Sequence, residues 1–232
     1  MAFSPESSLL QLYLVNRKIA VNSLANIVNQ ANIAELLRNF LFYQLHPEAT
    51  SAAPNMLPAF SEPVSVHPSA LAFFYAPSDL CGTEGISSER IHAVPSWQGG
   101  DGRYDCVFIE TDANAPGMRG LDVAQVKAFL SFTHKSVTYP CALVSWFSRL
   151  GDKPDETTGM WILEADFDDD DERECHCSVI SMDTIVRGAH LMPLFGKGFL
   201  PKGLTPAHSL TTIFRAWYVN KYIDYHCFEL AF

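Results

Sequence analysis

Two stretches of strand-forming residues, 121–132 and 137–147, are separated by a short polar segment from His134 to Ser136. A connection of this length joins neighbouring antiparallel strands as a hairpin. The predicted hairpin constrains the fold more than any other feature, because the remaining elements must pack around a long antiparallel pair.

Further strands are predicted on both sides of this hairpin. Residues 103–110, 160–163 and 177–182 are short runs of apolar and β-branched residues bounded by turn-forming residues. Residues 183–191 fit either a strand or a short turn of helix. Five to six short strands at hairpin spacing predict a small antiparallel β-barrel or a strongly curved sheet.

Helices are predicted at the two ends of the chain. Residues 5–45 contain no glycine, and the apolar residues of their second half recur at helical spacing. Asn32 is placed to cap a second helix, and His46-Pro47 is placed to end it. Residues 209–232 contain neither glycine nor proline and carry an apolar stripe behind Ser209, which predicts a helix packed on the sheet.

Between these parts, residues 47–102 are rich in proline, glycine and serine. We predict a long irregular connection that contains one strand at 64–66 and another near 70–75. The chain is therefore expected to be an α+β protein with an N-terminal helical segment (1–46), a connecting region (47–102) and a β-rich core with a C-terminal helix (103–232).

The charge is unevenly distributed. The chain of 232 residues has a formal net charge of −10, and eight acidic residues with a single arginine lie between residues 164 and 174. A strongly acidic chain disfavours broad contact with nucleic acid or an anionic membrane, both of which need clustered lysine and arginine. The longest apolar runs also fall well short of the ~20 residues that span a bilayer.

The six cysteines are dispersed through a long chain. This pattern indicates reduced thiols in an intracellular protein, cytoplasmic or nuclear. No secretory signal is recognised near Met1.

Neither a metal nor another cofactor is expected. Cys175-His176-Cys177 contains zinc-type ligands, but no second pair follows at the usual spacing. The acidic run around Asp169 and Asp170 lacks the spaced oxygen ligands and the glycine of a calcium loop. A solvated acidic loop that attracts a basic partner is the preferred interpretation.

No catalytic centre is recognised either. Cys81 lies in a predicted loop with His92, His134 and His190 as candidate bases, but its surroundings match no nucleophile motif. The strand-borne carboxylates Asp105, Glu110, Asp122 and Asp183 are typical of edge charges or turn caps, and no phosphate-binding loop or zinc-protease motif occurs. The sequence therefore predicts a protein that is not an enzyme.

Two binding hypotheses remain. Trp146, Trp161 and Trp217 are predicted to be core residues, whereas Trp97 lies in a proline- and glycine-rich loop and is expected to be exposed. An exposed Trp97 near Asp169 and Asp170 would suit a basic peptide. The alternative is contact with nucleic acid through a basic face, for which the candidates are Arg90, Arg103, Arg119, Lys127 and Lys135.

Nine sequence blocks resemble one known family, and they occur in that family's order. They are APSDLCG at 76–82, ERI at 89–91, PSW at 95–97, GRYD at 102–105, GMRGLDVA at 117–124, YPCALVSWFS at 139–148, DETTGMW at 155–161, AHL at 189–191 and YVNKY at 218–222. Together these blocks resemble the C-terminal region of proteins encoded by Plavaka-type (KDZ-related) DNA transposons of mushroom-forming fungi. The resemblance extends from about Leu24 to Phe232.

In that family the transposase catalytic core lies upstream of the matching region. The resemblance therefore implies a detached or degenerate C-terminal module without the acidic triad that cuts DNA. The function expected from it is a non-catalytic binding or assembly module. The alternatives are an accessory nucleic-acid-binding module of a transposition complex, and a decayed remnant without a selected function. The oligomeric state is left open.

Overall fold

The computed structural model describes residues 9–12, 18–77, 85–168, 171–196 and 214–231. Sixteen strands occur in these ranges: β1 (Leu9–Leu12), β2 (Lys18–Ile19), β3 (Val64–His67), β4 (Ser69–Tyr75), β5 (Ile86–Val94), β6 (Arg103–Tyr104), β7 (Cys106–Glu110), β8 (Leu121–His134), β9 (Val137–Arg149), β10 (Ile162–Ala165), β11 (Phe167–Asp168), β12 (Asp171–Cys175), β13 (Cys177–Ser181), β14 (Ile185–Ala189), β15 (Leu191–Pro193) and β16 (Ala216–Val219). The helices in the same ranges are α1 (Val21–Val28), α2 (Ile33–Leu45) and α3 (Tyr225–Ala231), with short 3-10 helices at Pro54–Met56, Gly117–Arg119 and Met182–Thr184.

The predicted central hairpin is confirmed as β8 and β9, which pair antiparallel from Val123 with Phe147 to His134 with Val137. The connection consists of Lys135 and Ser136, whose φ angles of 47° and 66° are both positive. Positive φ at both central residues is characteristic of the type I′ turn, whose twist matches that of the flanking strands.

Each strand of this hairpin changes its outer partner along its length. The first half of β8 pairs with β7 and the second half with β3, and an irregularity between Val126 and Ala128 separates the two halves. The first half of β9 pairs with β13 and the second half with β10. The resulting ten-stranded sheet runs β14-β7-β8-β9-β10-β16-β15, with β13 on β9, β3 on β8 and β2 on β3.

A second sheet has the order β1-β4-β5-β6 and is also antiparallel. Side chains of β4 and β5 share an apolar layer with side chains from the central part of the large sheet, including Val107, Phe129 and Val144. The hairpin is therefore covered on this side by the smaller sheet.

Two further apolar layers complete the core. Helices α1 and α2 pack Leu24, Leu37 and Leu41 against the β3–β8–β9 part of the large sheet. Helix α3 packs Cys227 and Ala231 against a layer that contains Trp217. Because β8 and β9 face apolar layers on both sides, most of their residues are buried and their sequences are nearly continuous in apolar residues.

The helical prediction for the N-terminal segment is correct for α1 and α2 and wrong before them. Asn32 is the N-cap residue of α2 and His46 is its C-cap residue, as expected. Residues 9–12 and 18–19, however, form β1 and β2. These short strands pair with β4 and β3, which are distant in the sequence. Strands of two to four residues that depend on distant partners show no periodicity by which the sequence could predict them.

The prediction of an irregular connection over 47–102 is wrong in its second half. The two expected strands are present as β3 and β4, but there is a further strand, β5, of nine residues. Its first seven residues pair with the whole length of β4, and its last two pair with β6. The polar and charged residues in Ile86–Val94 concealed this strand. The predicted turn at 77–82 lies mostly outside the described residues.

The predicted C-terminal helix is present only as α3. Residues 216–219 form β16, because Trp217 is inserted between β10 and β15 and is fully buried. The expected cap at Ser209 lies outside the described residues.

The class is α+β and the sheets are antiparallel, with more strands than the five to six predicted. In the described part of the chain the ten-stranded sheet does not close on itself, so the predicted small barrel is not confirmed. None of the described helices has the length and apolar character needed to cross a membrane.

Candidate functional site

The site begins where β9 exchanges one partner for another. At Trp146 the backbone N–H donates to the carbonyl of His176 (3.1 Å), and the carbonyl accepts from the N–H of Asp166 (3.0 Å). The N–H of His176 in turn donates to the carbonyl of Asp166 (2.8 Å). Trp146 therefore lies at a fork between β13 and β10.

A two-stranded acidic hairpin, made of β11 and β12, extends from this fork between Asp166 and His176. It contains the acidic stretch that dominates the net charge. The predicted binding residues Asp169 and Asp170 lie between β11 and β12 in the sequence, outside the described residues. The base of the acidic hairpin, at Asp166 and His176, is described and shows where the hairpin joins the sheet.

A cleft of about 850 Å³ opens at the fork. Its wall includes the two tryptophans Trp146 and Trp161 together with charged side chains from the 3-10 helix at Gly117–Arg119, from β8 and β9, and from the base of the acidic hairpin. The charged and titratable side chains that line it are Arg119, Asp122, Arg149, Asp152, Asp166 and His176.

A second cleft of about 600 Å³ adjoins the first and shares Thr111, Trp146 and His176 with it. Its walls are helix α2 on one side and strand β13 on the other, with the end of β7 between them. We call the two connected clefts the Trp146 groove. This groove runs from the base of the acidic hairpin, past Trp146, to Tyr43 on α2.

The two arginines of the groove differ in their contacts. Arg149 donates to the carbonyl of Met118 (2.7 Å), lies 3.7 Å from the carboxylate of Asp122 and covers the ring of Trp161 at 5.9 Å. Arg149 therefore has a local structural role. Arg119 is exposed, and its guanidinium makes no hydrogen bond or ion pair with another described residue.

Trp146 is only half-buried. Its indole N–H donates to the hydroxyl of Ser178 across the β9–β13 pair (2.7 Å). This hydrogen bond fixes the ring at the junction of the two clefts, so that part of an aromatic face remains open to a ligand.

The His176 imidazole lies 3.4 Å from the carboxylate of Asp166, and their side chains are 52% and 38% exposed. Ser148 lines the same cleft, but its hydroxyl makes no hydrogen bond to His176. The arrangement offers hydrogen bonds and negative charge to a ligand. Nothing in it orients a nucleophile against a base.

A second cluster of charged and aromatic residues is centred on a buried arginine and shares no residue with the groove. Arg187, on β14, makes two hydrogen bonds to Asp224 (2.9 and 2.7 Å) and one to Glu89 (3.2 Å). Its guanidinium stacks on Phe74 at 4.4 Å and contacts the Nδ1 atom of His226 at 3.1 Å. We call these five residues the Arg187 cluster.

The Arg187 cluster joins the two sheets to the C-terminal helix. Glu89 comes from β5 and also accepts a hydrogen bond from the backbone N–H of Gly188 on β14. Asp224 precedes α3 and accepts from the backbone N–H of Cys227 (2.7 Å). Arg187 is itself buried, with a side chain that is 6% exposed.

The charges of this cluster change the titration of its members. Burial alone would raise the pKa of Asp224, but hydrogen bonds from Arg187 and from the Cys227 N–H, with the positive charge of Arg187, hold that pKa below its usual range. Burial also raises the pKa of the Cys227 thiol to about 11. Cys227 is therefore a neutral thiol packed in the core.

Trp97 is not exposed as predicted. Its ring is half-buried, packs edge-on against His92 at 4.3 Å and is covered by the Arg103 guanidinium at 5.1 Å. Asp105 binds both neighbours, accepting from Arg103 (2.9 Å) and from the backbone N–H of His92 (2.8 Å). The structure thus brings Trp97 and Arg103 together, in a cluster whose polar groups are largely satisfied internally.

The five residues proposed for a basic face do not form one. Arg119 lines the first cleft, and Lys127 lines a separate cavity beside α1. Arg90 donates to Ser69 within the smaller sheet (3.1 Å), and Lys135 is in the turn of the β8–β9 hairpin. Arg103 is engaged with Asp105.

Cys175, at the end of β12, and Cys177, at the start of β13, line the same cavity of about 440 Å³. All five cysteines in the described ranges are free thiols. Within those ranges no three histidine, cysteine, aspartate or glutamate side chains converge as a metal ion would require.

The sequence-based reasoning missed Trp146, which was assigned to the core with Trp161 and Trp217. Trp161 and Trp217 are buried, and Trp146 is half-buried and packs against the apolar layer that contains Val144. Trp146 lies between the five consecutive buried residues 141–145 and the buried Phe147, so its sequence pattern is that of a core residue. Only the exchange of partner strands at this position leaves part of its ring open.

No protein-family profile, curated protein or solved structure matches this chain.

Proposed function

We propose that this chain is a non-catalytic binding module that holds a basic segment of a partner protein in the Trp146 groove. The observation that carries the proposal is the combination found at the fork of β9. A half-buried tryptophan is hydrogen-bonded there to Ser178, three carboxylates line the same cleft, and an acidic hairpin begins at its edge. Aromatic rings and carboxylates together bind lysine and arginine side chains.

The charge of the groove supports this choice of ligand. Of its two arginines, Arg149 is engaged with Met118 and Asp122, and Arg119 is the remaining positive charge. Asp152, Asp166 and Glu110 add negative charge, and the acidic hairpin adds more. A basic segment is attracted to such a surface from a distance and is then held by short-range contacts.

An assembly role also agrees with the resemblance to the C-terminal region of Plavaka-type transposon proteins. We extend the proposal accordingly to a module that attaches to a basic protein partner inside the cell, in the cytoplasm or the nucleus. The dispersed cysteines support such a location.

The test is the binding of a defined peptide. The probe is an acetylated and amidated octapeptide of alternating lysine and valine, measured by calorimetry. The matched control has glutamate in place of lysine, and a single-stranded oligonucleotide tests the nucleic-acid alternative. We expect binding of the lysine peptide alone.

The Trp146→Phe variant locates the binding surface. Loss of the larger ring and of its hydrogen bond to Ser178 should weaken the lysine peptide about tenfold. Trp97→Phe is the control, since Trp97 lies outside the groove, and it should leave the affinity unchanged. Binding of the oligonucleotide in preference to the peptide, or equal effects of the two variants, would reject the proposal.

A further inference from the structure

The second cleft of the Trp146 groove follows the edge of strand β13. All five residues of Cys177–Ser181 line it. Successive side chains of a strand point to opposite faces of the sheet. A cleft in contact with five consecutive residues therefore runs along the strand's edge and not over one face.

The opposite edge of β13 is occupied by β9. The backbone N–H of Trp146 donates to the carbonyl of His176, just before β13 begins. Alternate residues of an antiparallel strand direct their backbone groups to the same side. Ser178 and Ile180 thus face β9, and the N–H and C=O of Val179 face the cleft. Among the strands that the structure describes, β9 alone pairs with β13.

Helix α2 forms the facing wall. Leu36, Asn39, Phe40 and Tyr43, which share one side of the helix, line the cleft. The cleft thus has backbone hydrogen-bonding groups on one wall, side chains of mixed polarity on the other, and the half-buried Trp146 at the end that leads to the acidic hairpin.

We propose that the basic segment binds as an added β-strand on the β13 edge, with Val179 at the centre of the new pairing. This inference rests on the proposed function and specifies how the ligand is held. The occupant is an extended segment of another protein whose basic side chains alternate with apolar ones. Basic and apolar side chains must alternate because successive side chains of a strand point to opposite faces. When the backbone pairs with β13, one set of side chains faces α2 and Trp146 and the other set faces away from them.

Charge complementarity selects this occupant. The first cleft, at the end of the β13 edge, contains Asp152 and Asp166 in addition to Asp122, which lies 3.7 Å from Arg149. Glu110 lines the second cleft. These carboxylates outnumber Arg119, the cation of the first cleft that has no ion pair with another described residue. A strand that extends from the β13 edge past Trp146 therefore brings its basic side chains to these carboxylates.

The test uses backbone methylation of the same lysine–valine octapeptide. One derivative carries N-methyl groups on all its valines and the other on all its lysines. In an added strand only one of these two sets donates hydrogen bonds to β13. We expect one derivative to bind about tenfold more weakly or worse than the unmodified peptide, and the other to bind within about threefold of it.

The outcomes separate the two proposals. If both derivatives bind as the unmodified peptide does, the added strand is wrong and the proposed function stands. If the unmodified peptide does not bind, the proposed function is wrong, and this inference falls with it. Equal loss in both derivatives would also overturn the added strand, because no pairing uses both sets equally.

A variant of the protein provides an independent measurement. Val179→Pro removes the backbone N–H that faces the cleft. The hydrogen bonds between β13 and β9 are kept, because the Val179 N–H does not take part in them, and proline is tolerated at such edge positions. We expect its circular dichroism spectrum to match that of the parent while peptide affinity falls about tenfold. In sedimentation experiments we expect the parent and the variant to have the same oligomeric state, with no dimer that is specific to the parent. Such a dimer would mean that a second copy occupies the edge, and it would overturn the choice of ligand.

Discussion

The Arg187 cluster and the Trp146 groove contain the same kinds of side chain, and their surroundings differ. In the cluster, a 6% exposed arginine is surrounded by Asp224, Glu89, His226 and an aromatic ring. In the groove, Trp146 is half-buried, and the exposed carboxylates of Asp152 and Glu110 make no hydrogen bond or ion pair with another described residue.

The difference shows how composition alone misleads about function. Charged groups that satisfy one another inside the protein fix elements in place, and removing one leaves a buried charge unpaired. Charged and aromatic groups that face an open cleft gain little from each other, so a ligand can complete their interactions. The first region has a structural role, and the second is the region for which we propose binding.

The largest effect is expected on stability. Asp224→Ala should lower the free energy of unfolding by about 3 kcal/mol, because the buried Arg187 loses its bidentate partner. The matched control is Asp152→Ala, an exposed aspartate of the groove, which should change stability by less than about 0.5 kcal/mol. Urea denaturation measures both. Equal effects would mean that the cluster is no more structural than the groove.

The next effect is on peptide binding. Replacing Asp169 and Asp170 by asparagine should weaken the lysine peptide severalfold at about 50 mM salt and much less at about 1 M, because salt screens exposed charges. Glu229→Gln with Asp101→Asn is the control, with the same change in net charge at exposed residues that do not line the groove. A loss that is equal in both double variants would indicate a general effect of net charge.

The smallest effect is on pH dependence. The pKa of Asp224 is lowered in the folded protein, so its contribution to stability is complete above the unfolded value of about 3.9 and is lost as the pH falls through the folded value. The stability difference between the parent and Asp224→Ala should therefore be largest near neutral pH and shrink below about pH 4. Denaturation curves over this range measure it. A difference that stays constant with pH would show that the ionised carboxylate is not what stabilises the cluster.

Local sequence patterns predicted the elements that are local in nature. The β8–β9 hairpin follows from two strand-forming runs and a short polar connection, and α2 follows from its apolar spacing and its boundaries at Asn32 and His46. Strands β5 and β16 were missed or misassigned. The polar residues of β5 obscure its pattern, and Trp217 fits a helical stripe as well as a strand until its neighbours are known.

The residues that line the proposed groove were predicted less well than the fold. Arg119 was a candidate and lines the groove, whereas Trp97 and Arg103 belong to a cluster that satisfies itself. Trp146 gave no signal, since its exposure depends on where β9 exchanges β13 for β10. That exchange involves backbone hydrogen bonds to His176 and Asp166, which no local pattern encodes.

The sequence by itself determined the α+β class, the central hairpin and the concentration of acid between residues 164 and 174. The tertiary structure alone decided which charges are buried and which face a ligand. Arg187 meets Asp224 and Glu89 across 37 and 98 residues of chain. The groove likewise joins α2, β9 and β13. Such contacts form because burial of the shared apolar layers brings distant segments together, and that burial is a property of the whole fold.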